Sequence, residues 1–300
     1  MSSIALLVSS LFLFIVSLFI WIFLLFSLKH QYRYASLLFD LLPYYLPFTL
    51  FAFFFSTLSV ILLSYNFSFI FLLFLLPSLL LTIFLAFRFH RWRRCYSLDC
   101  YISFLDLISD SDKYAVHLFR DSSNIDSQRV NIFLRHDVDL SLSRLQRLTE
   151  LEFERGIRST CLFRFHSPKY SFDDALPLIK RLDSLGFEIG YHYETLAQSK
   201  GNKEEALILF REELSTLRQH VTVTTISHHG DRYHNEQLLD YLNLDDLGLS
   251  SAYDLKHDLY LTDTGGNDMK RSGGEHIFDR LSHAKPGDVV QILIHADWWY

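Results

Sequence analysis

The first 87 residues hold three formally charged side chains, Lys29, Arg33 and Asp40. A stretch so long and so rich in Phe and Leu cannot stand alone in water without exposing a large apolar surface. It divides into three apolar runs, 4–28, 45–63 and 67–87, each near the ~20 residues that a helix needs to cross a hydrocarbon core. A cleaved signal peptide is a poor match. The first run is too long for the apolar part of one, its start has no basic residue, and two more runs follow. Pro43 and Pro47 stand where the second run begins, a position in which a helix tolerates proline. Lys29 and Arg33 lie between the first two runs, and Arg88, Arg91, Arg93 and Arg94 follow the third. The positive-inside rule puts both basic flanks in the cytoplasm. The expectation is a membrane region over 1–94 with three transmembrane helices in the lipid bilayer. It makes the chain a multi-pass protein of the cell (inner) membrane, with the N-terminus outside and the rest of the chain cytoplasmic.

The other 213 residues carry 59 charged side chains and a net charge of −7. That acidic balance argues against a nucleic-acid partner, which would call for a basic face. Three cysteines, Cys95, Cys100 and Cys161, form neither a CxxC pair nor an even-numbered framework. They read as idle or buried thiols in a reducing compartment.

From Val130 the chain alternates short apolar runs with amphipathic ones. Strands are expected at 130–135, 159–165, 187–193, 221–227, 259–262 and 289–294. Helices are expected at 141–155, 172–185 and 203–220, with a further one across 276–282. Gly156 and Gly186 stand at helix ends. Strands alternating with helices mean βαβ units and a parallel sheet, so the fold class is α/β. Both a barrel and an open doubly wound sheet fit, and in either the site lies at the C-terminal ends of the strands. Residues 95–129 read as a connector leading into a domain over 130–300.

The residues just after each strand carry the chemistry. VNIFLR is followed by His136-Asp137-Val138-Asp139, FEIGY by His192-Tyr193-Glu194, and VTTIS by His228-His229-Gly230-Asp231-Arg232. LYL is followed by Thr262-Asp263-Thr264-Gly265-Gly266, and VVQILI by His295-Ala296-Asp297-Trp298-Trp299. Five strand ends in Asp, His or Glu converge on one mouth in a parallel barrel. Asp and neutral His are ligands for zinc or a similar divalent ion with an open water position. A second carboxylate beside a metal-bound water is the arrangement that hydrolyses an amide or ester.

RHDVD, GFEIGYHYE, SHHG, YLTDTGG and ILIHADWW, in that order, resemble the polysaccharide deacetylase family (the NodB-homology domain, a carbohydrate esterase type), and most of all its branch with an HDVD first motif. The resemblance covers roughly 130–300. It implies a distorted (β/α) barrel and a Zn2+-type, metal-dependent hydrolase that acts on a non-peptide C–N bond. Its substrate would be an N-acetylated carbohydrate, either a polysaccharide or its lipid- or nucleotide-linked precursor. By the same resemblance Asp137 is the general base, Asp139 and His192 are metal ligands, and His295 is the general acid. The chain departs from the pattern in three ways: Val138 separates the two acidic positions, the spacing from Leu293 to His295 is shorter than in the family, and Leu196 stands where the second metal histidine belongs. The third ligand is then His229, favoured because Gly230 permits a tight turn, with Glu194 or His228 as alternatives. Arg232 is expected to orient Asp137, and Asp263 or Asp297 to fix the ring of His295. Trp298 and Trp299 are expected to stack on a sugar. Two competing readings are a non-catalytic glycan-binding or scaffold barrel, and a glycosyltransferase that uses Asp137 and Asp139 as a DxD pair.

Overall fold

The chain divides into two units, Met1–Arg91 and Trp92–Tyr300. The computed structural model describes residues 96–263 and 276–299, all in the second unit. The three expected membrane spans fall outside the described residues. Among the described residues, no helix is long and apolar enough to cross a membrane.

In chain order the elements are α1 (Leu98–Ile108), β1 (Tyr114–His117), β2 (Val130–Val138), α2 (Leu142–Glu154), β3 (Thr160–Phe163), α3 (Phe172–Ser184) and β4 (Glu188–Tyr193). They continue with a one-turn α4 (Thr195–Gln198), α5 (Lys203–Arg218), β5 (Thr225–His228), β6 (Ser250–Ser251), β7 (Leu259–Thr262) and β8 (Val289–Ile294). Caps set the helix starts: Ser141 Oγ accepts from the Arg144 amide, Ser171 and Asp174 form a reciprocal capping box, and Asn202 caps α5. Gly156 and Gly186 end α2 and α3 with φ of 74° and 88°, backbone that favours glycine.

Among the described residues all eight strands are parallel, in the order β6-β5-β4-β3-β2-β8-β7, with β1 also on β2. Read as a ring, this is the sequence order from β2 to β8, with β8 returning to β2. A doubly wound sheet would reverse direction at a switch point instead. The strand order therefore selects the barrel, whose ladder ends at β6 and β7, and places every strand's C-terminal end at one mouth.

Side chains of β2 alternate between two environments. Ile132, Leu134 and Val138 join the large apolar cluster formed with the helices. Phe133 packs instead with Phe119, Ala252 and Val289, and it shares its face with Arg135 and Asp137. That inner face is strongly polar. The register aligns Arg135 with Thr160 and Glu188, and Asp137 with Leu162 and Gly190. Glu188 is fully buried and accepts hydrogen bonds from Thr160 Oγ1 (2.7 Å), Thr225 Oγ1 (2.5 Å) and the Arg120 amide (3.1 Å). Gly190 is required by space, because a Cβ there would stand 2.7 Å from the Thr225 carbonyl oxygen and 2.9 Å from Leu162 Cδ2. Gly190→Ala is therefore expected to destabilise the domain by about 1–3 kcal/mol, and an unchanged thermal midpoint would refute that packing.

Three expectations are corrected. The lead-in is part of the domain: α1 buries Tyr101, Phe104, Leu105 and Ile108, and β1 extends the sheet. Phe104 stacks on Phe278 at 3.9 Å, and Tyr101 and Tyr96 pack on Trp299 at 5.2 and 5.3 Å. The strand expected at 221–227 shortens to Thr225–His228; Val221 and Val223 are buried, but outside the ladder. The helix expected across 276–282 is a short 3-10 turn, Asp279–His283.

Candidate active site

The mouth is a depression of about 340 Å³ lined by Asp137, Asp139, His192, His228, His229, Gly230, Tyr260, Thr262, Leu293 and His295. At its centre is Asp139, one residue beyond the end of β2. Its Oδ1 lies 3.6 Å from His192 Nε2 and 3.8 Å from His229 Nε2, and its Oδ2 lies 3.9 Å from His295 Nε2. Burial would raise the pKa of this carboxyl, but His192 outweighs it, with help from His295 and His229, and holds it well below the usual carboxylate range. Asp139 is not the cap of α2, a role that Ser141 fills.

Each histidine is set from behind. His192 Nδ1 faces Ser227 Oγ at 2.7 Å and the Ser227 carbonyl at 3.3 Å. A carbonyl only accepts, so Nδ1 is the donor on this side, and Nε2 is the nitrogen that faces the two aspartates. His295 Nδ1 bonds Asp263 Oδ1 at 2.5 Å, and the His295 amide and Trp299 Nε1 donate to Asp263 Oδ2. Burial opposes protonation of His295, but the Asp263 carboxylate overrides it and pushes the pKa up to about 10. His229 is pulled down to about 4, first by burial and then by the charge of His192. It is therefore neutral at pH 7, as a ligand must be. Its inward direction comes from backbone bonds, His229 N–H to the Tyr193 carbonyl at 2.8 Å and Asn235 Nδ2 to the His229 carbonyl at 2.9 Å. Gly230 does not supply it: its φ is not positive, and a Cβ there would meet nothing.

Asp137 lies deeper. Its Oδ2 is 3.5 Å from Arg135 NH2 and 3.8 Å from His192 Nε2, while Oδ1 is buried without a hydrogen-bond partner. The cation behind Asp137 is thus Arg135, two residues earlier on the same strand face and fully buried, with its guanidinium 4.7 Å over the Tyr253 ring. The expected partner, Arg232, is exposed and lies on its neighbour Tyr233 instead.

Other expected residues fall elsewhere. Asp263 meets His295, whereas Asp297 Oδ2 accepts from the Leu140 amide at 3.1 Å and ties the final turn to the end of β2. Burial, then the charge of Asp139, raises the Asp297 pKa to about 6. Trp299 is buried in the aromatic core, and Trp298 packs against that core rather than lining the depression. His228 lines the mouth but stacks on Tyr253 at 4.3 Å. Glu194 is engaged by Arg164 through Nε (2.8 Å) and NH2 (2.6 Å). Leu196, where the resemblance expects a histidine, is buried in α4.

Arg164 and Arg135 were missed in the sequence. The period of two was the available signal, since residues 160, 162 and 164 share one face, as do 133, 135 and 137. Tyr260 and Thr262, which also line the mouth, follow from the same rule on β7.

A carboxylate and two imidazoles form a donor set suited to zinc. Among the described residues, no group of three or more His, Cys, Asp or Glu side chains is closed around one point as in a formed metal site. The separations of 3.6 and 3.8 Å compare with about 3.3 Å between ligands of a tetrahedral ion with bonds near 2.0 Å. Movements of a few tenths of an ångström would bring these two separations to that value, and the chemistry of the three donors suits such an ion.

No protein-family model matches the chain, and no curated protein matches it. Solved structures similar to it include the polysaccharide deacetylase Bc1974 from Bacillus cereus, at 15% identity over 56% of this chain and 80% of that one, with a TM-score of 0.38. The peptidoglycan deacetylase PdaC from Bacillus subtilis is 17% identical over 56% of this chain and 75% of that one, TM-score 0.40. The chitin deacetylase from the fungal pathogen Colletotrichum lindemuthianum is 14% identical over 61% and 77%, TM-score 0.40.

Proposed function

We propose that this chain is a metal-dependent hydrolase that removes the N-acetyl group from an amino sugar, in a polysaccharide or its lipid- or nucleotide-linked precursor. The observation that carries the reading is the convergence of Asp137, Asp139, His192, His229 and His295 in one depression at the barrel mouth. The sequence adds a location to this proposal: three membrane spans over 1–94 that hold the domain on the cytoplasmic side of the cell membrane.

Asp139, His192 and His229 would hold the ion. When bound, a divalent ion such as Zn2+ supplies a Lewis acid that polarises the amide carbonyl and acidifies water. The remaining work belongs to the chain. Asp137 accepts a proton from the attacking water at Oδ1, the oxygen that has no other partner. Arg135 stays charged behind it: burial opposes that charge, and the Asp137 carboxylate restores it. His295, with Nδ1 committed to Asp263, donates from Nε2 to the departing nitrogen as the C–N bond breaks. Acetate and a free amine are released.

The test uses the full chain purified in detergent. About one zinc ion per chain is expected by elemental analysis, with acetate released from N-acetylglucosamine oligomers. Chelation should abolish that release and returned Zn2+ restore it. Acetate release indifferent to chelator would refute the metal; a loaded protein releasing no acetate from any N-acetylated sugar would refute the activity.

A further inference from the structure

Two of the three histidines around Asp139 have an oxygen group behind the ring: Ser227 on His192 Nδ1 and Asp263 on His295 Nδ1. The third, His229, has a buried Nδ1 with no hydrogen-bond partner, and Glu194 Oε2 stands 3.9 Å from it. Glu194 is itself buried and gripped on both oxygens by Arg164, whose remaining NH1 reaches to 3.5 Å from Asp139 Oδ1. Contacts therefore run from Asp139 through Arg164 and Glu194 to His229, behind two of the residues assigned to the ion.

We propose that Glu194 and Arg164 are a positioning pair: Glu194 receives the Nδ1–H of His229 when that ring takes up the ion, and Arg164 keeps Glu194 in this place and out of the coordination sphere. The inference rests on the metal reading above. A carboxylate behind a ligating imidazole fixes its tautomer and orientation, and removing such a partner weakens metal affinity by about 10–100-fold. The same carboxylate set free would be an additional oxygen ligand and would fill the position that a catalytic ion must leave open. A guanidinium suits this restraint because its planar fork bonds both carboxylate oxygens at once and never loses its proton.

Equilibrium dialysis of the full chain against Zn2+ gives affinity, and the visible absorption of Co2+ in the same site gives the ligand set without any turnover. Glu194→Gln is expected to bind Zn2+ about 10–100-fold more weakly than wild type, with an unchanged Co2+ band shape. Arg164→Met is expected to change that band shape, as the freed Glu194 joins the ion. Melting curves of the metal-free proteins accompany both variants, so that lost folding is separated from lost affinity. Wild-type affinity in Glu194→Gln, with or without a lower melting point, would overturn the pair's role. So would a loss of the ion in that variant as complete as in His192→Ala, because Glu194 would then be a ligand itself. A wild-type chain that binds neither ion would sink the metal reading and this inference together, an outcome distinct from the other two.

Discussion

Asp137→Asn is expected to lower the rate of acetate release by about 10²–10⁴-fold, the contribution of a positioned general base. The amide keeps the shape of the carboxyl between Arg135 and His192 but cannot take a proton from water. Metal content is expected to stay at the wild-type level, because Asp139, His192 and His229 are untouched. The truncation Asp137→Ala is a poorer experiment. It leaves Arg135, which is fully buried, without its carboxylate, and breaking a buried pair costs about 3–5 kcal/mol. An Asp137→Asn variant that retains more than a tenth of wild-type kcat/KM with N-acetylated oligomers would remove Asp137 from the role of base.

Asp263→Asn is expected to act through His295. The Asp263 carboxylate is what lifts His295 to about 10, against the effect of burial. A histidine that must give up a proton works only below its pKa, so activity falls as pH rises through that value. Without the carboxylate the alkaline limb of kcat/KM should move to lower pH by about 1–3 units, the range for loss of an adjacent opposite charge. Stability follows the same sign. A raised folded-state pKa contributes stability that is fully present below the unfolded-state value near 6.5 and is lost as pH rises through the folded-state value. The variant should therefore lose most stability at and below neutral pH, where the wild-type pair is fully charged, and least above about pH 10. An alkaline limb that stays in place would show that another group sets it.

The parallel α/β sheet and the polar ends of its strands were legible because they rest on local signals. The local pattern left barrel and open doubly wound sheet equally possible, and only the strand order separates them. Alternating runs gave the parallel strands, β7 and β8 at the boundaries found, and the polar residues after each strand gave Asp137, Asp139, His192, His229 and His295. The residues behind them were harder to read for a physical reason. Arg135 and Arg164 look like the charged ends of apolar strands, and only the closure of the sheet turns their faces inward. Arg232 has the better local position, just after the SHHG segment, but its loop points outward. Trp299 illustrates the reverse. Its place beside Asp297 and Trp298 suggests a sugar platform, yet Tyr96 and Tyr101 of α1 and its lead-in partner it from a segment with no clear periodicity. Long-range packing of this kind leaves no mark in the local pattern.

Strand β2 is bonded along one edge by β8 and along the other by β1 and then β3. It carries Asp137, and Asp139 comes immediately after it. Both carboxylates are thus fixed to the strand that has three neighbours in the sheet, while the β5–β6 connection, which begins with His229 and Gly230, borders the mouth as a loop. Such a division lets the choice of substrate drift over generations without disturbing the chemistry: the part of that connection beyond Gly230 can lengthen, shorten or exchange side chains while the two aspartates and His229 keep their places.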